Sequence, residues 1–400
     1  MRKILLVLLI LIPFSGMTQT ADDVVIPFIG LAGPGSRADA LGQAYTGIAN
    51  DYSAMYYNPA GLAHVTRAEL AFGGTYYSVN NTNTIRQNNA SYTGEISQNY
   101  FDTNNFSYLW PAYGLKLTLG VGYNAVAISN QAYDVEGPNF SETINEESVL
   151  GAYTLSGGYQ LDKELSMGAS FHLYRGNNTY TSSTQYYDNG EDITYEIDSD
   201  YLGLGLTLGI LWAPADFSRT GISIQTPKFL DVDETYTEVT KSRYDYRIQS
   251  PPEVQVGQSF TFGNFLVSGN VVWKDWSLSR FRQDPNSVIR DEGGNPIDIQ
   301  INNTIRSEFN SALEYGGGAE FLLPWWNMKL RGGAQYVPSY LRDDESATRF
   351  VLSGGVSAVL AQKFKIDFSY SRATWEVRYS SNETADIINS WSTVTFSYRF

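Results

Sequence analysis

The sequence predicts an all-β fold, a transmembrane antiparallel β-barrel of about fourteen strands whose lumen is plugged by an N-terminal hatch. Three observations lead there: an export signal at the front, a two-residue alternation through the body, and a composition rich in aromatics but poor in charge.

Arg2 and Lys3 precede an uninterrupted aliphatic run, 4–12, which Pro13 breaks before small and polar residues lead to Thr20. This is the layout of a secretory signal peptide, residues 1–20, with cleavage expected between Thr20 and Ala21. The apolar run is far short of the roughly 20 residues that a membrane helix needs. Without cysteine in the chain, a lipoprotein anchor is excluded, as are thiol catalysis and thiolate metal sites.

Mean hydropathy is slightly negative, as for a soluble protein. Yet aromatics make up 14% of residues and charged residues only 17%, against about 25% charged in an ordinary globular domain. A barrel reconciles these values, because only every second residue of a strand faces lipid. The net charge of −15 argues against a nucleic-acid partner, whose phosphates call for a basic surface.

The alternation is explicit in Leu202, Leu204, Leu206, Leu208 and Ile210, which take turns with Gly203, Gly205, Thr207 and Gly209. A period of two puts every large apolar side chain on one face. Phe364, Ile366, Phe368 and Tyr370 alternate in the same way with Lys365, Asp367, Ser369 and Ser371. A soluble sheet would bury the apolar face under a second layer. A barrel turns it to lipid and keeps the small and polar face for the lumen.

Strands are expected near 68–79, 100–109, 115–129, 146–160, 165–179, 200–213, 220–232, 250–262, 265–277, 310–322, 328–337, 349–360, 364–378 and 387–400. Between them, short turns alternate with long polar loops near 80–99, 130–145, 180–199, 233–249, 278–309, 338–348 and 379–386. Short periplasmic turns opposite long external loops are the usual asymmetry, and an even strand count then places both termini in the periplasm.

Trp110, Trp212, Trp325 and Trp326 fall at short turns, and Trp273, Trp276, Trp375 and Trp391 nearer the long loops, the placement expected of two interfacial girdles. Phe396, Tyr398 and Phe400 share one face at the very end, the pattern of a barrel-assembly signal. The surroundings implied are outer-membrane lipid and barrel-assembly machinery in a Gram-negative-type bacterium, with the protein a monomer.

Residues 21–67, ahead of the barrel at 68–400, read differently. Small residues dominate, alternation is absent, and helical turns are expected near 37–48 and 52–57. With a periplasmic N-terminus, such a segment folds into the lumen as a plug. Its motifs are Arg37-Ala38-Asp39-Ala40-Leu41-Gly42-Gln43-Ala44, then Asn50-Asp51-Tyr52-Ser53-Ala54, then Asn58-Pro59-Ala60-Gly61-Leu62.

This run resembles the hatch of the FadL/TodX family of outer-membrane hydrophobic-compound transporters. Val272-Trp273-Lys274-Asp275-Trp276-Ser277 and Glu314-Tyr315-Gly316-Gly317-Gly318-Ala319-Glu320 are similar to later stretches of that family. The resemblance implies passive transport of hydrophobic small molecules, long-chain fatty acids or aromatic hydrocarbons, with Arg37, Asp51, Asn58, Pro59 and Ala60 in the gating hatch. It also implies lateral exit to the bilayer through a gap at an inward kink of the third strand. Gly120 and Gly122 are the candidates for that kink, or else they make room for the hatch. The Pro-Phe-Gly element common in that strand among fatty-acid transporters is absent. The alternative within the same fold is an accessory of a protein-secretion system that holds exported proteins at the cell surface.

Chemistry finds little support. Two histidines, His64 and His172, cannot make a histidine metal cluster, and no cofactor is expected. Ser170 and His172 share a face, but nothing marks an orienting partner or an oxyanion site. The acidic groups around Glu142, Asp231 and Asp343 read as solvated loop surface rather than as divalent-cation sites. Glu320 and Lys329 are expected opposite each other on the late hairpin, facing the lumen.

Overall fold

Alternating apolar residues become strands, and the strands close on themselves. The structure, a computed structural model, describes residues 20–28, 33–87, 90–136, 140–187, 192–285, 288, 290, 294–342, 345, 347–380 and 383–400. The signal-peptide expectation for 1–19 lies outside the described residues, as do Asp343 and Asp344.

The wall is built from β1 (Glu69–Gln87), β2 (Ala90–Ala112), β3 (Leu117–Glu136), β4 (Phe140–Gln160), β5 (Leu165–Tyr186) and β6 (Asp192–Ala215). It continues through β7 (Ser218–Gln225), β8 (Phe229–Thr237), β9 (Lys241–Gln249), β10 (Glu253–Phe262), β11 (Phe265–Asp275) and β12 (Arg280–Gln283). It ends with β13 (Ser311–Leu323), β14 (Met328–Val337), β15 (Arg349–Leu360), β16 (Phe364–Ser380) and β17 (Glu383–Arg399). All neighbours are antiparallel, and β1 pairs with β17 from Glu69↔Arg399 to Ile85↔Glu383, which removes the sheet edges.

Seventeen strands make fourteen staves, because β7 continues as β8, β9 is continued by β10, and β11 leads into β12. Pro227, Pro251 and Pro252 sit at the first two breaks, where they supply no ladder N–H. Side-chain hydroxyls restitch the wall there. The Leu206 amide donates to Thr226 Oγ1 at 3.0 Å, and the Lys228 amide donates to Ser250 Oγ at 2.9 Å. The third break is a 3₁₀ turn, Trp276–Leu278, capped by the Asp275 carboxylate.

Several expected loops are strands instead. Residues 80–87, 90–99, 130–136, 140–145, 180–186, 192–199 and 233–237 prolong the staves into tall polar hairpins. No apolar alternation marks them, since neither face of these extensions meets lipid. The segment around 278–309 does hold a non-strand element, the helix Ile297–Glu308, whose Ile297, Ile301 and Ile305 are buried.

The outer face follows the sequence pattern. Leu202, Leu204, Leu208, Ile210 and Trp212 are exposed, while Gly203, Gly205 and Thr207 face inward. Trp110, Trp212, Trp325 and Trp326 are exposed near the short turns. The second girdle is corrected: Trp276 and Trp391 are buried inside, and Trp375 packs against that inner group. Parity gives the reason. Trp391 shares its face with Thr393 and Thr395, opposite to Val394, Phe396 and Tyr398.

The N-terminal segment fills the lumen in two levels. Near the short turns lie α1 (Ser36–Ala40), α2 (Ala54–Tyr57) and a 3₁₀ turn, Pro59–His64. Gly168 of β5 and Gly209 of β6 let this turn touch the wall, for a Cβ at either would collide with Asn58, Pro59 or Ala60. Residues 20–28 run on toward the long loops. There Val24, Val25 and Phe28 share a buried cluster with Leu230, Ile248, Phe281 and the isoleucines of the Ile297–Glu308 helix.

Wall glycines therefore set the docking of the segment. Gly209→Leu should leave the barrel closed but expel the Asn58–Ala60 corner. Limited proteolysis should then cut between residues 36 and 65 in the variant and spare the wild type.

Candidate functional site

Three features stand out inside the barrel: an ionic lattice under the segment, a cavity above it, and an interruption in the wall beside the cavity.

The lattice binds the segment to the wall. Arg37 bridges to Glu320 at 3.1 Å and donates to Asn50 Oδ1 at 2.7 Å. Glu320 also accepts from Arg331 at 2.7 Å and from Lys329 at 2.6 Å. Arg331 reaches Asp367 at 2.7 Å, Asp367 holds Lys365 at 2.7 Å, and Lys365 faces Asp51 at 3.9 Å. Asp51 in turn accepts from Tyr45 Oη at 2.8 Å and from Ser53 Oγ at 2.6 Å. Arg37 and Asp51 are thus brought into one chain of alternating charge. The register corrects one expectation: the residue opposite Glu320 is Arg331, and Lys329, opposite Leu322, reaches Glu320 along the diagonal.

Asn58, Pro59 and Ala60 form a second anchor. Asn58 Nδ2 donates to the carbonyls of Thr46, at 3.0 Å, and Ile210, at 3.1 Å, while its Oδ1 caps the 3₁₀ turn through the Ala60 amide. One side chain therefore joins two parts of the segment to β6.

Ser170 and His172 are fully engaged elsewhere. Ser170 Oγ donates to the Met55 carbonyl, and His172 lies between the hydroxyls of Thr154 and Thr207. They do not bond each other, so these two form no nucleophile–base pair.

Above the segment lies a cavity of ≈ 80 Å³. Phe28, Val126, Val272, Trp276, Val337 and Val351 give it apolar walls, and Gln43 and Tyr57 form part of its floor. Lys274 pairs there with Glu253 at 3.2 Å and Glu314 at 3.0 Å. Lys228 and Arg349 also line the cavity, and each is more than nine-tenths buried. Among the described residues neither side chain makes an ion pair, and the Arg349 Nε has no hydrogen-bond partner. Arg349 lies over the Trp375 ring, 5.8 Å from its centre. Sequence reasoning missed both cations, because each stands at a strand start where alternation is silent.

The wall is interrupted between β2 and β3. Their ladder has eight rungs, from Ala112↔Leu117 to Asn105↔Asn124. Beyond Asn124, β3 continues paired only with β4, as far as Glu136↔Ser141, while β2 continues paired only with β1, as far as Gln87↔Ala90. A bulge lies on each side of the parting: between Gly73 and Thr75 in the β1–β2 ladder, and at Val126 in the β3–β4 ladder. Val126 also lines the cavity, so the cavity meets the wall where the seam begins.

Gly120 and Gly122 are two rungs or more below this point, in regular pairing, and a Cβ at either would press on Met55 of the segment. The pairing break falls at Asn124–Val126, beyond both glycines.

A family model described as outer membrane protein transport protein (OMPP1/FadL/TodX) matches residues 33–399. The chain belongs to the OMPP1/FadL/TodX family. Among curated proteins none matches this FadL/TodX-family chain. The crystal structure of a Pseudomonas aeruginosa FadL homologue is similar, with TM-score 0.65 and 12% identity over 91% of this chain and 98% of that one. The P. putida toluene transporter TodX has TM-score 0.64 and 12% identity, over 93% and 99%. The Ralstonia pickettii toluene transporter TbuX has TM-score 0.59 and 17% identity, over 93% and 99%. At such identities the likeness carries the fold alone. The family places this FadL/TodX member among outer-membrane transport channels, not enzymes.

Two outcomes follow from the geometry. The Arg331 side chain is fully buried between two carboxylates, whereas that of Lys329 is 34% exposed. Arg331→Met should therefore cost the barrel about 3–5 kcal/mol, and Lys329→Met about 1 kcal/mol or less, measured by reversible unfolding in detergent.

The second concerns Asp39 of the segment, whose carboxyl burial pushes up to about 7 against hydrogen bonds from Thr393 and Gln43. A carboxyl raised in the folded state stabilises docking fully below its unfolded value of about 4, and that contribution is lost as pH rises through about 7. Amide-exchange protection of residues 36–43 should fall over this range in the wild type and stay level in Asp39→Asn.

Proposed function

We propose that this channel takes up hydrophobic molecules carrying one acidic group, long-chain carboxylates above all, by passive movement through the outer membrane. The carrying observation is that two buried cations, Lys228 and Arg349, make no direct ion pair among the described residues and line a chamber of mixed polar and apolar walls. An uncharged hydrocarbon gives such cations no bond to offset their burial. A carboxylate head with an alkyl tail satisfies both the cations and the walls. The relatives named for toluene share the fold at low identity, so they do not argue for an uncharged ligand here.

In this reading the short turns face the periplasm, and the tall hairpins receive the ligand from outside. The chamber at ≈ 80 Å³ is smaller than the ~150 Å³ that holds benzene in a dry protein cavity. Phe28, on its border, has to withdraw for a ligand to enter. Residues 36–64 act as the hatch that blocks a straight water path, and Arg37, Asp51, Asn58, Pro59 and Ala60 hold it shut. The ligand leaves sideways at the β2–β3 seam, where the wall lacks ladder bonds, with Phe101 and Phe106 exposed on the outer face. Phe396, Tyr398 and Phe400 serve as the outward-facing assembly signal.

Calorimetry with dodecanoate and dodecanol tests the ligand class. Lys228→Ala combined with Arg349→Ala should weaken dodecanoate about 10- to 100-fold, as the loss of bonds to a charged group implies, and leave dodecanol unchanged. Equal affinities of the wild type for the acid and the alcohol would sink the carboxylate reading. A large, steady single-channel conductance in planar bilayers would sink the gated one.

A further inference from the structure

The base of the seam and the floor of the cavity are joined by hydrogen bonds through one carboxylate of the hatch. From the seam, Asn105 Nδ2 donates to Asn104 Oδ1 at 2.7 Å, and Asn104 Nδ2 donates to Thr75 Oγ1 at 2.5 Å. Thr75 and Thr393 hydroxyls are 2.9 Å apart, and Thr393 Oγ1 donates to Asp39 Oδ2 at 2.9 Å. From the cavity, Tyr57 Oη donates to Gln43 Oε1 at 2.5 Å, and Gln43 Nε2 donates to Asp39 Oδ1 at 2.8 Å. Each oxygen of Asp39 thus ends one arm, and the ionised carboxylate, which only accepts, fixes the direction of every donor along both.

The seam end is poised. Asn105↔Asn124 is the last rung of the β2–β3 ladder. The Asn105 Oδ1 and Asn124 Nδ2 atoms on it are buried, one an acceptor and one a donor, and neither has a partner. A small shift of β2 would let these two groups meet and close one more link, or draw them further apart. The Asn104–Asn105 arm sets which, because it holds the bulged stretch of β2 against β1.

We propose that Asp39 is a positioning residue that couples the cavity to the lateral seam through these two arms. A ligand that pushes Tyr57 or Gln43 from the cavity floor frees one oxygen of Asp39. The carboxylate then turns, the Thr393–Thr75–Asn104 arm slackens, and the Asn105–Asn124 rung parts. The wall opens only behind an occupied chamber. The inference rests on the reading of the seam as the exit, but the coupling itself is measurable without any ligand.

Amide hydrogen exchange on the full chain in detergent micelles, read over residues 100–107, provides that measurement. Gln43→Ala and Thr75→Val should each speed exchange about tenfold, within the usual range of coupling between sites. Their combination should be no faster than either alone, since both cut one path. Asp39→Asn, which keeps the shape but turns one acceptor into a donor, should act in the same sense, and it serves if Thr75→Val fails to assemble. Tyr52→Phe removes a 3.2 Å bond from the same hatch to Thr395 on the same strand, outside both arms, and should leave the wild-type rate. Wild-type exchange in Gln43→Ala, or equal acceleration in Tyr52→Phe, would overturn the coupling. Failure of dodecanoate to bind would overturn the transport reading and leave this result intact.

Discussion

Backbone hydrogen bonding in a medium without water is the constraint from which the rest of this structure follows. A strand in hydrocarbon has to pair on both sides, so the sheet closes, β1 on β17, and no edge remains. Where prolines deny the ladder a donor, at Pro227, Pro251 and Pro252, hydroxyls of Thr226 and Ser250 take up neighbouring amides. Against this rule the parting of β2 and β3 above Asn105↔Asn124 stands out. There the closed wall gives up pairing, and the parting coincides with the cavity at Val126.

Closure creates a second problem, since a barrel this wide has a lumen that side chains of the wall do not fill. The N-terminal segment fills it, and the fit is made by absence: Gly168, Gly209, Gly318 and Gly333 leave space in which segment backbone approaches strand backbone directly. Charge then fixes the segment against sliding. Glu320, Arg331 and Asp367 would be costly alone in such surroundings, and each is held by the next, with Arg37 and Asp51 completing the series from the segment side. Docking and burial are therefore one equilibrium, and a group such as Asp39, tied both to the cavity floor and to β17, feels both.

The same economy of pairing explains the chamber. Carboxylates and cations of the lattice satisfy one another, and Lys274 is satisfied by Glu253 and Glu314. Lys228 and Arg349 make no direct ion pair among the described residues, although Glu253 and Glu314 line the same chamber. Both line the chamber, and the proposed preference for a ligand with one acidic head rests on them.

The sequence by itself determined the barrel, because period-two alternation acts locally: each large side chain in 202–212 chooses lipid or lumen by parity alone. The family was equally legible in the run from Arg37 to Leu62. Where parity was set aside for position along the strand, as for Trp276, Trp375 and Trp391, the expectation of a girdle failed, although the alternation already pointed Trp391 inward. The tall polar hairpins escaped notice because two wet faces leave no pattern. Only the tertiary structure decided the partner of Glu320, the site of the seam, the pairing of Lys228 with Arg349 across the chamber, and the meeting of Thr75, Thr393 and Asp39. Those depend on register and closure, which bring residues more than 300 positions apart into hydrogen-bond distance, and no local pattern encodes that.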